Sequence, residues 1–148
     1  MGTMADEIKN SPPNESKVSD KDEIFLLCDL VRQICYSIHQ YLHNGHPEKV
    51  YENALVHRLR KQGLKVIQQH PIKVYDEDGT PLGSFAADLF VEGKLIIELK
   101  ACATLIPDHK AQAQGYLRAS RIEHGLLINF GSAKLEVKKL FQSLKPSI

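Results

Sequence analysis

S-F-A-A-D-L-F-V-E-G-K-L-I-I-E-L-K, residues Ser84 to Lys100, reads as two apolar strands joined by a tight turn at Glu92-Gly93. Asp88, Glu98 and Lys100 interrupt it where a plain core hairpin would be apolar. Strand side chains alternate between faces, so Glu98 and Lys100 share one face while Ile97 and Leu99 take the other. A three-residue connection, Glu92 to Lys94, sets Asp88 opposite Glu98 on that same face. Two adjacent carboxylates repel unless a positive charge lies between them, and a divalent cation or a lysine ammonium would serve. An isolated Glu-x-Lys on a strand is ordinarily a solvated edge. Here the surrounding Lys94–Ala101 is nearly continuous Leu and Ile, the composition of a buried central strand. A metal site is therefore the first hypothesis.

Outside this hairpin the chain divides simply. Residues 1–21 are polar, with Pro12-Pro13, and read as a flexible tail; residues 22–148 read as one domain. Leu27, Leu30, Val31, Ile34, Ile38, Tyr41 and Leu42 give a helical stripe over Asp22–Leu42, ended by Asn44-Gly45. A second helix is expected from Pro47 to Gln62, stopped by Gly63, with Glu48 and Glu52 stacked four apart on one side. Leu64–Tyr75 reads as a strand with a bulge or edge at His70-Pro71. After the hairpin come a helix over Asp108–Ser120, carrying Gln112 and Tyr116 on one face, a buried strand Gly125–Asn129, and a last strand or short helix over Lys134–Phe141. Helix, helix, three strands, helix, strand is an α/β order around a mixed sheet.

Composition excludes more than it selects. No apolar run approaches the roughly 18–20 residues that span a bilayer, and no signal pattern opens the chain, so a cytoplasmic protein without membrane contact is expected. Cys28, Cys35 and Cys102 form no C-x-x-C pair, which supports neither a disulfide framework nor a four-cysteine metal site. The net charge of +1 means that nucleic-acid binding would need a local basic patch. Lys49, Arg58, Arg60, Lys61, Lys110, Arg118 and Arg121 are the candidates for a backbone-binding groove.

Gly45-His46-Pro47-Glu48-Lys49-Val50-Tyr51 matches G-x-x-E-x-x-Y. With Y-E-N-A-L (Tyr51–Leu55), A-D-L (Ala87–Leu89), I-E-L-K-A (Ile97–Ala101), H-x-A-Q (His109–Gln112), Y-L-R-A (Tyr116–Ala119) and L-L-I-N-F-G (Leu126–Gly131), it resembles the GxxExxY proteins of the PD-(D/E)XK nuclease superfamily. The resemblance spans about Ile24 to Phe141. It implies an αβββαβ core, a mixed central sheet flanked by helices, and a nuclease that hydrolyses phosphodiester bonds in DNA with Mg²⁺ or Mn²⁺. Asp88 and Glu98 map onto its metal ligands and Lys100 onto its lysine. Glu52 becomes the helix acid, binding the metal through water or holding a second ion, since it precedes Gly63 by eleven residues as in archaeal Holliday-junction resolvases; Glu48 is the alternative, otherwise placed beside substrate. Gln112 and Tyr116 match a Q-x-x-x-Y motif of RecB-like nucleases, Gln112 on the catalytic side and Tyr116 toward substrate. His39 aligns with a histidine common before G-x-x-E and is a further substrate-side candidate. The strict P-D form is broken by Ala87, which replaces a proline that is not a ligand.

The chemistry suits the residues. Carboxylate oxygens hold Mg²⁺ while leaving water in its shell, and a neighbouring lysine orients that water or steadies the charged phosphate. The rival expectation is a catalytically inactive nucleic-acid-binding or protein-interaction module that keeps the nuclease fold. A homodimer is compatible with either, since cutting two strands with one small site per chain calls for two copies.

Overall fold

The computed structural model describes residues 19–145. Most of the expected tail lies outside them, while Asp20 and Lys21 already belong to the first helix. That helix, α1 (Asp20–Leu42), starts where the Ser19 hydroxyl accepts the Asp22 N–H at 3.2 Å, and acidic Asp20, Asp22 and Glu23 complement the positive helix end. Ile24, Cys28, Val31, Cys35 and Ile38 recur at three and four residues and form its buried stripe. Helix α2 (Glu48–Lys61) ends at Gly63. There the chain turns left-handed (φ +81°) and the Leu64 N–H reaches back to the Leu59 carbonyl at 3.3 Å.

Five strands follow: β1 (Val66–Tyr75), β2 (Pro81–Val91), β3 (Leu95–Lys100), β4 (His124–Asn129) and β5 (Glu136–Phe141). They lie side by side in chain order. Neighbours are antiparallel except β3 and β4, whose parallel pairing uses the crossover helix α3 (Pro107–Ser120). The segment read as strand or short helix is thus the edge strand β5, where Lys138 and Lys139 are tolerated by solvent.

Alternation along β3 separates two cores. Leu95, Ile97 and Leu99 join Leu126, Ile128 and Phe130 beneath α1 and α2, while Ile96 joins Leu127, Ala113 and Leu117 beneath α3. The central strand is covered on both faces, as its Leu/Ile run implies. Gly125 lets α3 come close: a side chain there would press on Leu117. The order α1-α2-β1-β2-β3-α3-β4-β5 contains the expected αβββαβ core, with one helix added before it and one strand after.

Candidate active site

The ladder between β2 and β3 runs Val91–Leu95, Phe90–Ile96, Leu89–Ile97 and then stops. Asp88 and Glu98 would be the next pair. Their side chains take over from the backbone instead: the Asp88 N–H donates to Glu98 Oε1 at 3.2 Å, and the Leu99 N–H donates to Asp88 Oδ2 at 2.7 Å. The expected juxtaposition is therefore present at the point where the strands part. Glu98 is only 6% exposed. Burial, and then the charge of Asp88, push its carboxyl up to about 8. Asp88 is also raised, chiefly by burial and opposed by the Leu99 N–H.

Helix α2 brings two more carboxylates. Its start is fixed by the residues of G-x-x-E-x-x-Y. Gly45 takes φ +115°, a conformation that glycine adopts without strain. The Tyr51 hydroxyl donates to the His43 carbonyl at 2.5 Å and accepts the His46 N–H at 3.1 Å, while its ring stacks on Phe130 at 4.7 Å. The motif tyrosine is thus a fully buried anchor for the turn that presents Glu48. Burial and the Asp88 charge raise the Glu48 carboxyl, with Lys100 opposing, which puts Glu48, Asp88 and Lys100 within electrostatic reach of one another.

Glu52, 3% exposed, is surrounded by donors. Lys49 Nζ and Gln68 Nε2 both donate to its Oε2, the lysine at 2.8 Å, and Gln69 Nε2 donates to Oε1 at 2.8 Å. Gln69 also donates to Asp88 Oδ1 at 3.4 Å, linking helix to strand. Adjacent strand residues normally face opposite ways. Gln69 has φ +54°, and at that point the β1–β2 pairing skips a pair, so both glutamines reach the same carboxylate. Sequence reasoning missed Gln68 and Gln69; the one signal was a polar pair inside a strand just before His70-Pro71.

Helix α3 closes the site from the other face of the sheet. Tyr116 has its hydroxyl raised by burial and then by the charges of Glu98 and Asp88, which puts it within electrostatic reach of both, and Gln112 lies beside Tyr116 on the same helix. The Tyr116 ring stacks on Phe85 with centroids 3.8 Å apart, a partner that sequence did not suggest. His39 instead lies against the loop after β4, its Nε2 3.0 Å from the Ser132 carbonyl and its ring near Phe130.

Of the candidate basic residues, Lys49, Arg58, Lys61 and Arg121 do not line one groove. Lys49 is engaged by Glu52, Arg60 by the Val66 carbonyl and Arg58 by Ser37. Arg58 and Lys61 line a cleft between α1 and α2, and Arg121 lines a separate cavity beside the N-terminal half of α1. Helix faces point them apart.

A further unforeseen residue is Asn129, fully buried at the end of β4. Its Oδ1 accepts the Cys102 and Gly131 N–H groups, each at 3.0 Å, and its Nδ2 donates to the Cys102 carbonyl at 2.9 Å and to Glu136 Oε1 at 3.0 Å. This fastens the chain leaving Lys100 to the loop after β4.

The model of the PD-(D/E)XK nuclease superfamily matches residues 26–140, which include every residue of this arrangement. The chain belongs to that superfamily. The superfamily members generally use divalent metal ions and act on nucleic acid, and its sheet with flanking helices is the architecture described above. The solved crystal structure of SSO0001 shares the fold with a TM-score of 0.52 at 17% identity, over 66% of this chain; the chain spans about half the length of that one. A search of curated proteins gives no match. No helix among the described residues is long and apolar enough to cross a membrane.

A divalent cation suits the donor set. Asp88, Glu98 and Glu48 offer hard oxygens; desolvation is the first cause of the upward push on each, and the charge of a neighbouring carboxylate adds to it. Among the described residues no three acidic, histidine or cysteine side chains form a ready-made cage; Asp88 and Glu98 each give only one oxygen to a backbone N–H.

Proposed function

We propose that this chain is a GxxExxY-type nuclease that hydrolyses phosphodiester bonds in DNA, with Mg²⁺ or Mn²⁺ held by Asp88 and Glu98. The observation that carries this reading is the meeting of those two carboxylates where β2 and β3 part, with Lys100 two residues further along the same strand. A bound divalent ion would lower the pKa of water in its shell and neutralise charge on the phosphate. The remaining work falls to the protein. Lys100 orients the attacking water or donates to the phosphate oxygens as charge accumulates there. Glu48, facing Asp88 and Lys100, is the third carboxylate of the site. Glu52, its oxygens already taken by three side chains, holds Gln69 and through it Asp88. Gln112 and Tyr116 contact the substrate phosphate from α3.

The test is calorimetric titration of Mg²⁺ and Mn²⁺ into the wild type and the Asp88→Asn/Glu98→Gln double variant. The same samples are incubated with single-stranded, duplex and branched DNA and with RNA. Metal binding and cleavage that both vanish in the variant are expected. Metal binding with cleavage of RNA alone would overturn the DNA assignment. Absence of site-dependent metal binding would overturn catalysis and favour a binding module that retains the fold.

A further inference from the structure

A wide cavity lies away from the carboxylates. It is a cleft of about 1130 Å³ bounded by the N-terminal half of α1, the β2–β3 turn, the start of β4 and the end of β5. Phe25, Phe141 and Leu144 line it, although they are 66%, 55% and 43% exposed. Three large apolar side chains left open in one concave surface mark an interaction site rather than chance exposure. The rim is basic: six lysines and arginines line the cleft against two carboxylates, Asp20 and Glu123. Of the six, Lys94 is neutralised by Glu23 at 2.7 Å, and no other is within ion-pair distance of a carboxylate among the described residues. The matching occupant is acidic with apolar side chains.

The far end of the same sheet has that chemistry. The turn between β1 and β2 carries Asp76, Glu77 and Asp78, flanked by Tyr75 and Leu82, which are 53% and 61% exposed. The turn is well formed. The Asp76 N–H donates to the Thr80 carbonyl at 2.9 Å, the Thr80 N–H donates to Asp78 Oδ1 at 2.9 Å, and Gly79 takes φ +86°. Strand β2 runs from this tip to the turn that borders the cleft, a separation of about 30 Å at the usual rise per strand residue. The two surfaces cannot meet within one chain.

We propose that the acidic tip of the β1–β2 hairpin docks into the basic, apolar cleft of a second copy of this chain. Cleft-to-cleft pairing would set like charges against each other. Tip-to-cleft pairing matches charge with charge and gives Tyr75 and Leu82 an apolar floor. Two chains lying antiparallel make the contact twice and close as a dimer; a head-to-tail arrangement makes it once per chain and extends. This proposal does not depend on the nuclease reading.

Sedimentation velocity of the full chain at low salt, over a concentration series, tests it. The wild type is expected to associate, and to do so less as salt is raised. Asp76→Lys/Asp78→Lys reverses the tip, and Lys21→Glu/Lys139→Glu reverses the cleft. Each double variant alone is expected to raise the dissociation constant at least about tenfold, with its circular dichroism spectrum unchanged. Mixing the two restores association, since each reversed tip now faces a reversed cleft. A wild type that stays monomeric throughout would overturn the proposal and leave the cleft to a different acidic partner. So would association that neither reversal weakens, or a mixture of the two variants that remains dissociated.

Discussion

At Glu98, burial beside Asp88 holds the carboxyl at about 8 against an ordinary value of 4.5. Between those values the folded chain keeps a proton that the unfolded chain has released. The folded state binds more protons, so stability falls as pH rises from 4.5 to about 8 and is level above it. Below 4.5 both states are protonated and the residue contributes nothing. Glu98→Gln removes the titration. In metal-free buffer the variant should exceed the wild type by on the order of a few kcal/mol at about pH 9 and match it near pH 4, by urea denaturation. An advantage independent of pH would assign the effect to packing instead. Gln69 offers a second residue-level test, because its left-handed backbone and its hydrogen bonds to Glu52 and Asp88 oppose each other energetically. Gln69→Ala loses the donor and keeps the strain; Gln69→Gly loses the donor and relieves it. The alanine variant should melt below the glycine variant by the equivalent of about 1 kcal/mol, and a reversed order would mean that β1 re-registers.

Among the elements, the junction between the β3–α3 and β4–β5 loops is the least forgiving. A methyl group on Gly131 would overlap the backbone of Ala101 and Cys102. Gly131→Ala should therefore cost at least about 2 kcal/mol in urea denaturation. Because Lys100 immediately precedes those residues, cleavage should fall further than the loss of folded protein explains. A variant of wild-type stability would show that the two loops can slide apart freely. The sequence carried much of this level. Helices α1 and α2 announce themselves by apolar spacing and by Gly63, and β3 by an uninterrupted Leu/Ile run. The facing of Asp88 and Glu98 follows from the length of the Glu92–Lys94 connection, and both belong to short recurring motifs. Gln68 and Gln69 could not be read, because their convergence depends on a positive φ at a residue that is not glycine. Asn129 was hidden for a related reason: a buried amide takes its meaning from loops distant in sequence. Tyr51 was visible as a motif letter, but only packing on Phe130 shows that it anchors the turn. The basic side chains stayed candidates only, because a count of charges carries no direction.

Taken as a whole, the molecule spreads its positive charge over several surfaces, with Lys49 already held by Glu52. Lys100, within electrostatic reach of Glu48 and Glu98, is left to meet phosphates at the site. DNA binding to the metal-free double variant should therefore depend shallowly on salt, with a log–log slope of about −2 to −3. A slope steeper than about −6 would require more cations than the carboxylate site presents, and would bring the basic cleft beside α1 into the contact.

Strand order in the sheet repeats strand order in the chain, and that bears on how the protein folds. Contacts between successive strands close short loops, so the β1–β2–β3 meander has little entropy to overcome before it forms. Only the parallel pairing of β3 with β4 must wait for a crossover helix. That order would bring Asp88 and Glu98 together early, as the hairpin closes, with Gln112 and Tyr116 arriving afterwards on α3. Leu117→Ala, in the heart of that helix, should speed unfolding while leaving the refolding rate nearly unchanged in stopped-flow measurements. Slowed refolding would place α3 in the nucleus. On the order argued here, the repulsion between the two carboxylates is met during folding itself, before the last layer of the domain is in place.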